Sequence, residues 1–397
     1  MTFRLYWPIE VKRALASLMV SVFLVSCGQG EKSVSRPFYN PIDPSDTRPP
    51  EKDQYKDLGD YLRGRERGII EELNDPSLTA VTREFGLTTI KQREFPHRSP
   101  MAQSVVIPWS SWWFPKREAT FFDNSRAANR YDYKNLSILA KLDLYQRAKE
   151  VNSPSAAAEE RKKFSDESLT WEGLCDAWAI AAITFPEPLH PVTVSLGSSH
   201  HDTVSFTVGE LKGLLLKTIE AADENGFKYY GQKFTGQENA WIYPDVFPEQ
   251  FHRLIEVQLF ERKQPFIVDI DPGVEVWNFP VYKANYQMEA IPDKPNAVFV
   301  RMWIYLADSL KSFDKKFIGT KEIVREYDYV LEGDRDANGD LVVTYGYWVK
   351  SKNGVDSRHD HPDFLVIPPP RDLLYRKSWN SSISIERVDE LLERAYK

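Results

Sequence analysis

Residues 171–182 read WEGLCDAWAIAA and hold one of the two cysteines of the 397-residue chain. Small side chains at Ala177, Ala179, Ala181 and Ala182 are interspersed with Trp178 and Ile180, and the run ends at Phe185, before Pro186 and Pro188. Proline cannot continue a helix, so the pattern predicts a helix from Leu174 to Phe185 with Cys175 in its first turn. At a helix start, unpaired backbone N–H groups and the positive dipole end favour a thiolate and lower the thiol pKa, which suits a nucleophile. Attack on an amide carbonyl also requires a base close in space and a group that orients the base.

The other cysteine, Cys27, has a different context. Lys12 and Arg13 precede ALASLMVSVFLV, an apolar run too short to span a bilayer but of the length of a secretory signal core. It ends in Leu24-Val25-Ser26-Cys27, which resembles a bacterial lipobox, with cleavage before Cys27, a lipid on its thiol, and Gly28 next, fitting an outer-membrane destination. These residues predict a signal peptide over 1–26, lipidation at Cys27, and a lipid-anchored protein of the bacterial cell envelope. Cys175 is then left with no intrachain partner, and in an oxidising compartment a lone thiol is either buried or used.

Residues 27–57, with five prolines between Pro37 and Pro50, read as a semi-extended tether reaching up to roughly 90 Å. Residues 58–165 read as a helical N-terminal region, including an amphipathic helix near Leu62–Leu73 and another from Leu136, with an aromatic stretch PWSSWWFP between them. Residues 166–397 read as the catalytic region: helices first, including Val208–Asp223 and Phe251–Lys263, then strand-like runs PFIVDID, AVFVRMWIYLA, EYDYVLEG and LVVTYGYWVK. Helices followed by antiparallel strands predict an α+β fold. In DRDANGDL, Asp334, Asp336, Asn338 and Gly339 imitate the start of a calcium loop, but Tyr345 stands where the loop needs glutamate, so a hairpin turn is expected.

Lysine and arginine number 51 against 58 aspartates and glutamates, for a net charge of −7, with no basic block, which excludes a nucleic-acid partner. Seven histidines are available as a base, and spacing favours none of them. HHD at 200–202 and HDH at 359–361 lack the further ligands of a metal site.

Resemblance adds what spacing leaves open. Trp171, Gly173, Cys175, Trp178, Ala179 and Pro186-Glu187-Pro188 resemble the active-site segment of the transglutaminase elicitor family, calcium-independent protein-glutamine γ-glutamyltransferases of oomycete cell walls and their bacterial relatives. Three more segments are similar in the same order: Pro108-Trp109-Ser110 with Trp113 and Pro115, FHRLIEVQLFERKQPFIVDIDPGVEVWNFPV at 251–281, and HPDFLVIP at 361–368. The resemblance runs from about residue 105 to about residue 370. It implies a transglutaminase/papain-like core, Cys175 as nucleophile, His252 as base and Asp269 as orienting acid, with Asp271 and His361 as alternatives. It further implies glutamine-bearing and amine-bearing protein or peptide substrates and neither metal nor organic cofactor. Trp178, Trp277 and Asn278 are expected to contact substrate. Where relatives often carry Asn-Gly after the nucleophile, this chain has Asp176-Ala177, and a carboxylate beside the thiol opposes its ionisation unless it points away. Two other readings remain: the same thioester passed to water, as in a cysteine peptidase or amidase of envelope peptides, and an inactive envelope-binding module.

Overall fold

The computed structural model describes residues 80–91, 100–129, 131–197, 202–222, 225–231, 246–271, 275–350, 354–357 and 360–397. The signal peptide, Cys27, the tether, the helix near 62–73, and His97, His200, His201 and His359 lie outside them.

An antiparallel sheet of nine strands organises the described residues, in the order β1-β10-β9-β8-β7-β6-β11-β5 with β2 beside β7. Its centre is a meander of long strands, β7 (Asn278–Ile291), β8 (Lys294–Ala307), β9 (Glu322–Arg335) and β10 (Leu341–Trp348). The β9–β10 connection is the expected hairpin: Asp336 accepts from the backbone N–H groups of Asn338 and Asp340, and Gly339 takes the positive φ of 80° that the turn requires. Beyond β7 lie β6 (Phe266–Asp269), β11 (Phe364–Ile367) and the edge strand β5 (Lys228–Gly231).

Most of β7 was not legible as a strand, because Pro280 interrupts its start and polar residues blur its alternation. Pro280 is tolerated because it lies opposite Ile267 of β6 before pairing with β8 begins at Val281, so β7 has one partner there. The region before residue 165 contributes to the same sheet. β1 (Thr89–Ile90) pairs with β10, and β2 (Met101–Gln103) pairs with β7.

Helices collect around the sheet. Ser137 caps α2 (Ile138–Lys149), Ser155 caps α3 (Ala156–Lys163), and a capping box from Thr207 to Glu210 opens α5 (Val208–Lys217); α1 (Ala80–Phe85) and α7 (Ile385–Ala395) lie nearer the ends. A small hairpin of β3 (Val192–Ser195) and β4 (Thr203–Phe206) completes this layer. The expected Cys175 helix forms as α4 (Cys175–Thr184), and its alanines allow close packing: Ala179 joins Ile267, Val276, Phe364 and Val366 in one apolar cluster. The expected 251–263 helix is α6 (Pro248–Ile255), which starts with proline in its first turn and continues into a wider, π-helical turn over Glu256–Glu261.

One buried ion pair ties these layers together. Glu187, in the Pro-Glu-Pro turn after α4, accepts from Lys212 Nζ of α5 at 2.6 Å and from the Gly319 N–H at 2.8 Å. The same ammonium donates to the Ser110 and Phe317 carbonyls and lies 5.1 Å from the Trp109 ring centroid. Burial pulls the Lys212 pKa down, and the Glu187 carboxylate opposes that shift. Glu187→Ala strands a buried ammonium and is expected to lower unfolding free energy by about 3 kcal/mol, measured by urea denaturation.

Candidate active site

The start of α4 is fixed from outside the helix. The Leu174 N–H donates to the Trp113 carbonyl at 2.6 Å, and the Lys116 N–H donates to the Glu172 carbonyl at 2.9 Å, so the PWSSWWFP segment runs along the residues leading to Cys175. Gly173 is required for this approach, since a Cβ there would overlap the Trp113 indole and its carbonyl. The Trp178 indole N–H donates to the Trp109 carbonyl, and the Trp109 indole N–H donates to the carbonyl of Phe185, where α4 ends. Motif residues far apart in the chain thus brace both ends of one helix.

Trp178 is almost fully buried and stands edge-on to Phe279 at 5.9 Å. It is a core residue, and the expectation that it contacts substrate is corrected: its helical position turns it inward. Trp277 is partly buried, edge-on to Trp113 at 5.6 Å, with its indole N–H donated to Glu275. Asn278 is buried beside the thiol.

Cys175 is buried, and three residues of the β7 entry surround it. Its Sγ lies 3.6 Å from the Val276 carbonyl and accepts from the Asn278 backbone N–H. Between these two, the Trp277 N–H donates the other way, to Asp269 Oδ1 at 2.9 Å, so the 276–278 segment lies between the thiol and the Asp269 carboxyl. The Asp271 N–H also donates to Asp269 Oδ1, at 3.2 Å, while buried Oδ2 has no hydrogen-bond partner. Asp269 therefore sits in the neighbourhood of Cys175. Asp271 donates its backbone to Asp269 and adds a like charge that raises the Asp269 pKa.

Asp176 points at the thiol. Its Oδ1 lies 3.3 Å from Cys175 Sγ and also accepts from Asn278 Nδ2 at 2.6 Å, while the residue remains exposed. The thiol pKa is consequently driven well above its usual value, first by burial and next by the Asp176 charge, with Asp269 adding to it. The helix start was expected to lower that pKa. Its contribution is of the order of 1 kcal/mol, less than one pKa unit, which is too small to offset burial and a carboxylate in contact. Burial likewise pushes Asp269 up to about 8, helped by the charges of Asp271 and Asp176.

The structure does not bring His252 to Cys175. Its Nδ1 pairs with the Tyr329 hydroxyl at 2.7 Å, its ring packs edge-on against Tyr286 and Tyr329, and Nε2 lies 3.8 Å from Glu256. None of its hydrogen bonds, ring contacts or charge interactions reaches Cys175 or Asp269, because α6 turns this face toward tyrosines of β7 and β9. Burial lowers its pKa, so the ring is held neutral. His361 is also buried, stacked on Trp348 at 5.4 Å, with Nδ1 2.9 Å from the Ser357 carbonyl. Its segment does approach the site: the Asp363 N–H donates to the Asp269 carbonyl at 3.2 Å where β11 meets β6.

Two outcomes follow from this geometry. The folded state holds the Asp269 proton up to about pH 8, against an ordinary value of 3.8, so its contribution to stability is complete below about pH 4 and is lost as pH rises toward 8. Asp269→Asn should flatten that decline, read as urea midpoints across this range. His252→Phe leaves the Tyr329 hydroxyl without its partner and should cost about 1–3 kcal/mol of stability by the same measurement.

Comparison with known proteins agrees with the architecture. The transglutaminase elicitor family profile matches residues 140–300, a stretch that contains Cys175, His252, Asp269, Trp277 and Asn278. No curated protein matches the chain in sequence. Among solved structures, the GP42 transglutaminase from Phytophthora sojae is similar, with a TM-score of 0.55 and 20% identity over 81% of this chain and 98% of that one. Over residues 140–300, then, this chain matches the transglutaminase elicitor family profile, on a mixed α+β fold similar to that of a Phytophthora transglutaminase.

Proposed function

We propose that the protein is a protein-glutamine γ-glutamyltransferase acting through a Cys175 thioester. The observation that carries this reading is the placement of Cys175: a buried thiol at the first position of α4, bonded to the β7 entry, with the Asp269 carboxyl on the other side of the same three residues. No side chain caps α4, so its first-turn N–H groups are available as donors to an oxyanion. In the first half-reaction Sγ attacks the glutamine carboxamide carbon, the C–S bond forms, the C–N bond breaks, and ammonia leaves with the thiol proton. In the second, an amine attacks the thioester, a new amide C–N bond forms, and the thiol regains a proton as C–S breaks.

Asp269 acts here as a positioning residue. It takes the Trp277 N–H and so fixes the strand entry that holds the thiol. Trp277 and Trp113 form an aromatic edge beside the nucleophile, and Asn278 lies against it. The envelope placement rests on Leu24-Val25-Ser26-Cys27 and the preceding apolar run. Substrates would then be peptides or proteins of that compartment, offering glutamine carboxamides and primary amines.

Incubation of the protein with a glutamine peptide and a fluorescent primary amine is expected to give amine incorporation and ammonia release, both abolished in Cys175→Ala. Ammonia release without incorporation would assign the thioester to water and make the protein a hydrolase. Equal signals from Cys175→Ala and the unsubstituted protein would overturn the reading.

A further inference from the structure

We infer that Asp176 carries the proton between the Cys175 thiol and the nitrogen of the leaving ammonia or entering amine. This rests on the proposed thioester chemistry and assigns to Asp176 the role usually sought in a histidine.

Four observations support it. The carboxylate is in direct contact with the thiol, with Oδ1 3.3 Å from Sγ. That oxygen is also held by Asn278 Nδ2 at 2.6 Å, and Asn278 donates its backbone N–H to Sγ, so thiol, amide and carboxylate form a closed triangle rather than a chance approach of neighbours in sequence. Asp176 is exposed although Cys175 is buried, so the carboxylate is open to a nitrogen arriving from solvent. Among the described histidines, none contacts the thiol: His252 is committed to Tyr329, His361 stacks on Trp348, and His190 lies exposed with its backbone bonded to Ala395. The titratable groups facing Asp176 are Cys175 on its own helix and Asp269 on β6.

The proton count closes. During acylation the thiol proton moves to Asp176 as Sγ bonds to the carboxamide carbon, then to the nitrogen that departs as ammonia. During transfer, an amine attacks the thioester and its nitrogen gains positive character, which makes its N–H acidic enough for a carboxylate to accept. Asp176 takes that proton, the C–S bond breaks, and the thiolate recovers the proton. The sulfur–carboxylate hydrogen bond seen in the structure is the end state of that sequence. Asn278 holds the carboxylate in place by donating to Oδ1.

The test compares the full protein with Asp176→Asn, which preserves shape and removes the base. With a glutamine peptide and a primary amine, kcat is expected to fall about a hundredfold or more with KM little changed, and the acid limb of the pH–rate profile should disappear. Iodoacetamide alkylation of Cys175 should become faster at neutral pH in Asp176→Asn, because a negative charge has left the thiol's side. His361→Gln and His252→Gln serve as comparisons. Loss of the acid limb in Asp176→Asn, with that limb kept in both histidine variants, would support the relay. Turnover in Asp176→Asn within about threefold of the unsubstituted protein would overturn it while leaving the thioester reading intact. Loss of turnover in Asp176→Asn with alkylation no faster would also overturn it, since the damage would then be structural. Absence of any Cys175-dependent turnover in the unsubstituted protein would overturn both.

Discussion

The contact on which the site depends is the seating of Trp113 against Gly173. With no side chain at that glycine, the indole and backbone of Trp113 reach the residues before α4, and the Trp113 carbonyl takes the Leu174 N–H. The first residue of α4 is therefore defined by a hydrogen bond from a distant segment and not by a side-chain cap of its own. Everything downstream inherits that position: the direction of the thiol, the pairing of Trp113 with Trp277, and the distance from α4 to the β7 entry. Glu187 and Lys212 then hold the far end of the helix against α5 and the 317–319 backbone.

Around the thiol the electrostatics run against ionisation. Burial removes solvent, and Asp176 adds negative charge in contact. Such a site is quiet at rest, with the proton on sulfur and a second proton retained on Asp269 near neutral pH. Under the proposed thioester chemistry, reactivity comes from moving a proton during the reaction instead of from a standing thiolate. That distinguishes it from cysteine sites in which an adjacent imidazolium keeps the sulfur charged.

Much of this was legible from residue patterns. The helix beginning at Cys175 followed from small residues bounded by Pro186, and the late strands followed from β-branched and aromatic runs. The tight β9–β10 turn followed from Asn338-Gly339. The resemblance implied Asp269 as the acid that orients His252; the structure instead has Asp269 accepting the Trp277 N–H at the strand entry beside Cys175. The identity of the base was not legible, because a triad histidine is defined by convergence in space, and His252 sits on a helix whose packing face only the fold reveals. Trp178 was expected to contact substrate, and its place in the core was not decided by sequence for a related reason: one tryptophan on a short alanine-rich helix gives no sign of which side meets the core. Pro280 concealed the first turns of β7, since a proline argues against a paired strand unless the second neighbour starts later.

The order of strands in the sheet also governs how the chain acquires its shape. β7 and β8, and β9 and β10, are joined by short connections and can pair soon after they are made, a low-cost closure in chain entropy, while residues 308–321 link β8 to β9. β1 and β2 are made first but pair with β10 and β7, and the Trp113 segment docks on a helix sixty residues later in the chain. These contacts have large sequence separation and form only after the meander exists. The early strands remain unpaired until then, and the pocket around Cys175 is completed among the last events of folding.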